Sequence, residues 1–373
     1  MANYTRRYLI ASTAVIGIWG ATGYPAAAQA VPEGYPSDYT DVIAAANGEG
    51  SLLVYTNMSQ ANWEHVIAGF NALYPGIAVE LLDVGSRESI ERYVAEAATG
   101  VATADLIATA SQPGWLDMQA RGEILDYASP ETEAWPDWSK PFPGLYTIST
   151  DPLVFAWSAL QVPEDQRART FAEFAALAEQ NGDAWANRIT SYSPLTSSFG
   201  YVANWYFIKH HGEDGWRYLE AIGALPARLE STGGPQMEKV TSGEYFSSFF
   251  MSGITVWPRM DDAAQAQFLD WNYIEDGQPM MMRGIGIPAA SAHVNAAKLM
   301  LDYILSVEGQ EAFGRGGLTP ARPGIETGDG IRATYSSVVE AVGEENIIML
   351  GYDQQMMDDY DEYQARFRDI YER

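Results

Sequence analysis

The stretch SLLVYTNMSQANWEHVIAGFNALYPGIAVELLD (residues 51–83), continued by VGSRESIERYVAEAATGVATADLIATASQPGWLDMQAR (residues 84–121), decides the fold. Leu52, Leu53, Val54 and Tyr55 form a short unbroken apolar run, the pattern of a strand buried on both faces. Ser59 then offers a helix N-cap, and Trp63, Val66, Ile67, Phe70 and Leu73 recur at helical spacing until Tyr74-Pro75-Gly76 stops the helix. A second strand is expected over Ile77 to Leu82, then a helix whose apolar face is Ile90, Tyr93, Val94 and Ala97. A third strand, Asp105 to Ala108, leads into a helix from Gly114 to Arg121. The order βαβαβα predicts a parallel sheet with helices on both faces, whose functional loops lie beyond the carboxyl ends of the strands. Those loops are Thr56 to Gln60, Gly85 to Glu88 and Thr109 to Gly114.

Upstream, Arg6 and Arg7 precede an apolar run from Tyr8 to Trp19, and Ala28-Gln29-Ala30 gives a small-x-small cleavage pattern. Residues 1–30 therefore read as a secretory signal peptide. Thr5-Arg6-Arg7-Tyr8-Leu9-Ile10 also resembles a twin-arginine signal, and both export routes end outside the cytoplasm. No later segment approaches the length of a membrane span.

Downstream, proline and aromatic residues interrupt the pattern from Trp135. Leu145-Tyr146-Thr147-Ile148 and Leu153-Val154-Phe155-Ala156-Trp157 then read as extended segments crossing to a second lobe. That lobe is expected to hold helices at Thr170 to Gln180, Ser198 to Lys209 and Trp216 to Ala224. Its strands are expected near Arg188 to Tyr192, near Ala227 to Glu230 and from Tyr245 to Phe250. Ile285 to Pro288 reads as a return crossing, Ala296 to Ile304 as a packed helix, and the last forty residues as helical and acidic. The fold class is therefore α/β, two doubly wound lobes joined by crossing strands. The expected division is 31–150 with 285–325 in one lobe and 151–284 with 326–373 in the other.

Composition narrows the function. The chain has no cysteine, which removes disulfides and thiolate chemistry. Its formal net charge of −27 argues against a nucleic-acid partner, whose phosphates demand the opposite sign. No Walker loop, dinucleotide fingerprint, Gly-x-Ser-x-Gly elbow or His-Glu-x-x-His motif occurs. His210 and His211 are adjacent and so diverge on a helix, and with His65 and His293 they read as ordinary surface or satisfied histidines. Asp261-Asp262 and Glu344-Glu345 read as solvated surface. A catalytic function, a metal centre and a cofactor are not expected.

The segment Met282 to Lys298, continuing from Leu301 to Gln310, resembles the periplasmic solute-binding proteins of ABC importers, specifically the ferric-ion-binding-protein group. Leu53-Val54-Tyr55-Thr56, Ala104-Asp105-Leu106, Gly243-Glu244-Tyr245 and Thr319 to Pro323 extend the resemblance over most of the chain after residue 30. It implies the type 2 periplasmic binding protein fold, a ligand cleft between closing lobes, a periplasmic location, a small-molecule solute, permease subunits as partners and a monomeric state. Iron-binding members carry two adjacent tyrosines shortly after the strand that follows the Gly-Glu turn. Here that position reads Met251-Ser252-Gly253-Ile254-Thr255, so the resemblance does not extend to iron ligands.

The candidate ligand-binding residues are Tyr55, Asn57, Arg87, Ser111, Gln112, Thr196, Ser197, Ser198, Ser252, Trp257 and Arg259. Hydroxyls, amides and an arginine suit a small organic anion such as a phosphonate, a carboxylate or a phosphorylated compound. Thr196-Ser197-Ser198 serves either as a plain helix cap or as a cap that also holds an anion. Arg87 and Arg259 are equal candidates for the anion clamp, and Trp257 is a ligand wall or a buried hinge residue. The alternatives are ferric ion with a chelating anion, an aromatic cation such as thiamine, and, more remotely, a secreted hydrolase.

Overall fold

The computed structural model describes residues 31–372; the expected signal peptide lies outside the described residues. The first half-lobe follows the sequence pattern: α1 (Tyr39–Glu49), β1 (Ser51–Thr56), α2 (Gln60–Leu73), β2 (Ala78–Asp83), α3 (Ser86–Thr99), β3 (Leu106–Thr109) and α4 (Gln112–Arg121). β1 pairs in parallel with β2 from Ser51↔Ala78 to Thr56↔Asp83, and with β3 from Val54↔Leu106 to Thr56↔Ala108. β2 is the sheet edge and is only half-buried, so the expectation of strands covered on both faces holds for β1 and β3 alone. α4 starts two residues earlier than expected, at Gln112 with Pro113 next, since a proline at a helix start forfeits no intrahelical bond.

The two expected crossing segments are one continuous strand, β4 (Leu145–Ser158), buried along its whole length. The second lobe continues with α5 (Phe171–Asn181), β5 (Ile189–Tyr192), α6 (Ser198–His211), α7 (Glu213–Gly223), β6 (Arg228–Glu230) and α8 (Gly233–Ser242). Then come β7 (Ser247–Ser252), α9 (Gly253–Asp261), α10 (Ala263–Ala266), β8 (Leu269–Asn272) and β9 (Gln278–Gly286). β7 lies two residues later than its expected span, and the return crossing begins at Gln278 rather than Ile285. The chain closes with α11 (Val294–Leu305), α12 (Val307–Arg315), α13 (Tyr335–Val342), β10 (Ile347–Leu350), α14 (Gln355–Asp358) and α15 (Tyr360–Tyr371). The acidic tail thus contains a strand, which pairs in parallel with β9.

The strands run β2-β1-β3-β9-β4-β7-β5-β6, with β8 on β4 and β10 on β9. β9 meets β3 at Ile107↔Gly286, while its earlier residues lie beside β10. β4 pairs with β9 from Leu145 to Pro152, and from Leu153 onward with β7 and β8. Two antiparallel strands therefore carry the chain between the lobes. Opposite Phe155 the register of β7 shifts, and Phe250 takes a left-handed φ of 55°, a bulge that adds twist just before Ser252.

Two apolar cores flank this crossing. One gathers Trp63, Val66 and Phe70 of α2 with Ile285, Leu301 of α11 and Phe313 of α12. The other gathers Phe155, Trp157, Phe171, Phe207 and Phe249 with Phe367 and Ile370 of the last helix. No helix among the described residues is long and apolar enough to cross a membrane.

Two features yield tests of this packing. A Cβ on Gly200, in the first turn of α6, would sit 2.4 Å from the Ser193 carbonyl and 2.9 Å from that of Tyr192, so glycine lets α6 start against the end of β5. Gly200→Ala is expected to cost about 1–3 kcal/mol in denaturant unfolding, as overpacking does. The second feature is Asp302 of α11, whose Oδ2 accepts from Tyr39 at 2.5 Å and Tyr127 at 2.7 Å. Burial pushes its carboxyl up to about 6, against the hydrogen bonds that favour its charge. The folded form then holds a proton that the unfolded form has released above about pH 4, so stability falls as pH rises from there to about 6. This group should contribute a loss on the order of 3 kcal/mol across that window, and Asp302→Asn should remove it. Unfolding midpoints of both proteins at the two ends of the window check this, and an equal loss in the variant would contradict it.

Candidate functional site in the interlobe cleft

The carboxyl ends of β1, β3, β5 and β7 face one another across the crossing strands, and α4, α6 and α9 begin there. At the centre is Arg283 of β9, fully buried with Asp151 of β4. Arg283 Nε and Nη2 lie 3.2 and 2.9 Å from Asp151 Oδ2, and Nη1 donates to Asn57 Oδ1 at 2.6 Å. Asp151 also accepts from the Ser149 hydroxyl at 3.1 Å and, through Oδ1, from the Thr319 N–H at 3.1 Å. One ion pair therefore ties both crossing strands to the loop after β1 and to residues before α13. Asn57 Oδ1 accepts from Ala110 N as well, at 3.3 Å, so the loops after β1 and β3 are held together.

The second lobe brings Tyr192, Ser252, Thr255 and Arg259. Burial pushes the Tyr192 phenol up to about 12, opposed by the Thr255 hydroxyl, the Ser252 N–H and the charges of Arg283 and Arg259, so it remains a neutral phenol. Arg259 is half-buried, and its one hydrogen bond runs from Nη1 to the Thr255 carbonyl of its own helix, at 2.7 Å. Desolvation lowers its pKa, with Glu238 and Tyr192 opposing. No carboxylate among the described residues lies within ion-pair distance of it. The adjoining Pro258 faces Gly317, which places α9 against the other lobe. The Ser252, Thr150 and Thr319 hydroxyls are buried without hydrogen-bond partners. Across the cleft, burial raises the Asp83 carboxyl, while the Arg283 charge acts the other way.

Beside this centre lies an open crevice of about 460 Å³ between α3 and α4 on one side and α6 and α15 on the other. Arg87, Ile90 and Ser111 line one wall, and Ser198, Tyr201 and Tyr360 line the other.

The structure brings Asn57, Ser111, Ser197, Ser198 and Ser252 to helix starts and strand ends around the cleft, with Thr196 at its exposed edge and Arg259 in the last turn of α9. The Ser197 hydroxyl accepts from Gly200 N at 3.4 Å and so caps α6. Thr196 meets Ser231 at 3.3 Å. Arg87 stands on the rim, 3.3 Å from the Tyr360 hydroxyl and 3.9 Å from Glu91. Three candidates lie elsewhere. Tyr55 turns to α3, where it donates to Glu96 at 2.7 Å and accepts from Arg92 at 3.2 Å, because its strand position puts it on the opposite face from Thr56. Gln112 spends its amide on the Met282 and Leu350 carbonyls at 2.6 and 3.0 Å. Trp257 packs over Gly253 and against Trp271, its ring centroid 4.4 Å from that of Trp271. Sequence reasoning missed Arg283 and Asp151, although each is the single charge in its apolar crossing strand.

Removing one member of a buried ion pair strands the other, so Asp151→Ala should cost about 3–5 kcal/mol. The double variant Asp151→Ala, Arg283→Met should recover part of that loss, since no charge is then left without a partner. Denaturant unfolding of the single and double variants measures the coupling.

The bacterial extracellular solute-binding protein family matches residues 65–335. No curated protein sequence matches the chain. Among solved structures, a substrate-binding protein of an ABC transporter from Agrobacterium tumefaciens shares 20% identity and a TM-score of 0.77, over 85% of this chain and 94% of that one. AfuA from Actinobacillus pleuropneumoniae, a periplasmic binding protein with fructose-6-phosphate bound, shares 16% and 0.72, over 87% and 99%. Iron-bound HitA from Pseudomonas aeruginosa shares 16% and 0.67, over 86% and 99%. These likenesses establish the two-lobed type 2 fold. With the family match spanning most of the described residues, the chain belongs to the bacterial extracellular solute-binding proteins.

Proposed function

We propose that this protein is the periplasmic solute-binding component of an ABC importer, that it acts as a monomer without catalysis, and that its solute is a small organic anion. The observation that carries the anion is Arg259, a half-buried guanidinium in the cleft with a single backbone acceptor and no carboxylate partner. Burying such a charge is costly unless something neutralises it, and a bidentate carboxylate or phosphoryl group is the matching partner. The starts of α6 and α9 add N–H groups and the positive ends of their dipoles, and the free Ser252 hydroxyl adds a donor. AfuA, with its bound sugar phosphate, is a fold neighbour for which a phosphorylated solute is in keeping.

Residues 31–150 with 285–325 form one closing body in this reading, and 151–284 with 326–373 form the other. A solute that touches both bodies favours the closed state by its differential affinity, and β4 and β9 supply the hinge. The signal peptide at residues 1–30 delivers the protein to the periplasm, where permease subunits receive the loaded form. Ferric ion gains no support from the sequence, because Met251 to Thr255 holds neither of the adjacent tyrosines that the iron-binding members carry there.

Calorimetric titration against phosphate monoesters, phosphonates and carboxylates tests the proposal. Arg259→Ala should weaken the anion that binds by about 2–5 kcal/mol. Ser197→Ala, which removes a cap rather than a free donor, should change binding by less than about 1 kcal/mol. An anion bound equally well by Arg259→Ala and by the unaltered protein would reject the clamp.

A further inference from the structure

On the far side of the first lobe from the cleft, α1, α11 and the segment before β4 enclose a cavity of about 540 Å³. Four tyrosines line it, Tyr35, Tyr39, Tyr74 and Tyr303. So do the carboxylates of Asp302 and Glu131, with Glu33 and Glu308 exposed at the rim; no lysine, arginine or histidine does. Glu131 is already engaged, accepting from Tyr35 at 2.7 Å and pairing with Arg322 at 2.8 Å. Asp302 is different. Its Oδ2 takes both tyrosine hydroxyls, but Oδ1 is buried without a hydrogen-bond partner, Ser129 being near enough only to ease its charge.

A carboxylate oxygen left unpaired inside a protein is a costly group, and the residue that carries this one lines a ligand-sized cavity together with four tyrosines. Tyrosine faces attract cations, and an anionic oxygen supplies the opposite charge. The described residues hold no cluster of three carboxylate or histidine ligands, so the donor set suits a soft organic cation better than a metal ion. We infer that this cavity is a second binding site, separate from the cleft, and that it takes a small organic ammonium ion. The ammonium group sits on the Asp302 side of the cavity, the tyrosines surround its alkyl groups, and Glu308 draws cations to the mouth.

The test uses choline and tetramethylammonium as probes, with sodium chloride at equal ionic strength as the control, followed by thermal stability and calorimetry of the protein. The expected result is saturable binding of at least one probe that sodium does not reproduce. Asp302→Asn, which still accepts from Tyr39 and Tyr127, should weaken it about tenfold or more through the lost charge. Glu308→Lys, a change at the exposed rim that leaves the core intact, should weaken it several-fold. Arg259→Ala should leave it unchanged. Absence of saturable binding up to millimolar probe would overturn the inference. So would binding that survives both acidic-residue variants, or binding strengthened in Arg259→Ala, which would put the ammonium in the cleft beside that charge.

Discussion

The buried pair Arg283–Asp151 is the constraint on which the rest of the molecule turns. Both strands that connect the lobes are otherwise apolar or neutral, so each can be buried along its length only if its one charge is met by the other's. Desolvating two ions costs several kcal/mol each, and good geometry with further hydrogen bonds is what offsets it. Asp151 has those bonds, from Ser149 and the Thr319 backbone, and Arg283 has Asn57. The pair therefore holds β4 against β9 and draws the loop after β1 onto these crossing strands. Replacing it with apolar groups would preserve burial but would lose the orientation of Asn57.

A strongly acidic protein is an unlikely-looking host for an anion until the local field is separated from the net charge. The acidic residues lie mostly at the surface, where solvent and salt screen them within about a Debye length, roughly 8–10 Å. In the cleft, Arg283 is neutralised by Asp151, whereas Arg259 is desolvated, hydrogen-bonded only to its own helix, and met by the Glu238 charge without an ion pair. Arg259 is thus the cleft's cation without an ion-pair partner, and the Tyr192 phenol, pushed up by burial, brings no opposing charge. The far cavity inverts this arrangement, with an unpaired carboxylate oxygen among phenol rings and no basic lining residue.

Much of this was legible in the sequence. Periodicity located β1, α2, β2 and α3, and the regular alternation of strand and helix located β3 and α4 after them. The tail strand Ile347–Leu350 escaped notice because four residues within an acidic helical stretch carry too little pattern, and only its partner β9 makes it a strand. Helix α9 was hidden by Pro258, which sits inside it. Among site residues, proximity to a loop misplaced Tyr55: it shares the strand face of Leu53, which packs under α3, and its hydroxyl is consumed by Glu96. Gln112 was misplaced because its role depends on the Met282 and Leu350 carbonyls, which are distant in sequence. Arg283 and Asp151 did carry a signal, a lone charge in each crossing strand, which reads as a pair once the two strands are recognised as neighbours.

The central claim is that an anion between the lobes answers the charge of Arg259. A crystal structure of the solute-loaded protein tests it most directly. The account predicts a carboxylate or phosphoryl oxygen within hydrogen-bonding distance of the Arg259 guanidinium, about 2.7–3.2 Å, with the α9 start contributing on the same side. A neutral or cationic solute in the cleft, or an anion whose charged group lies away from Arg259, would contradict it.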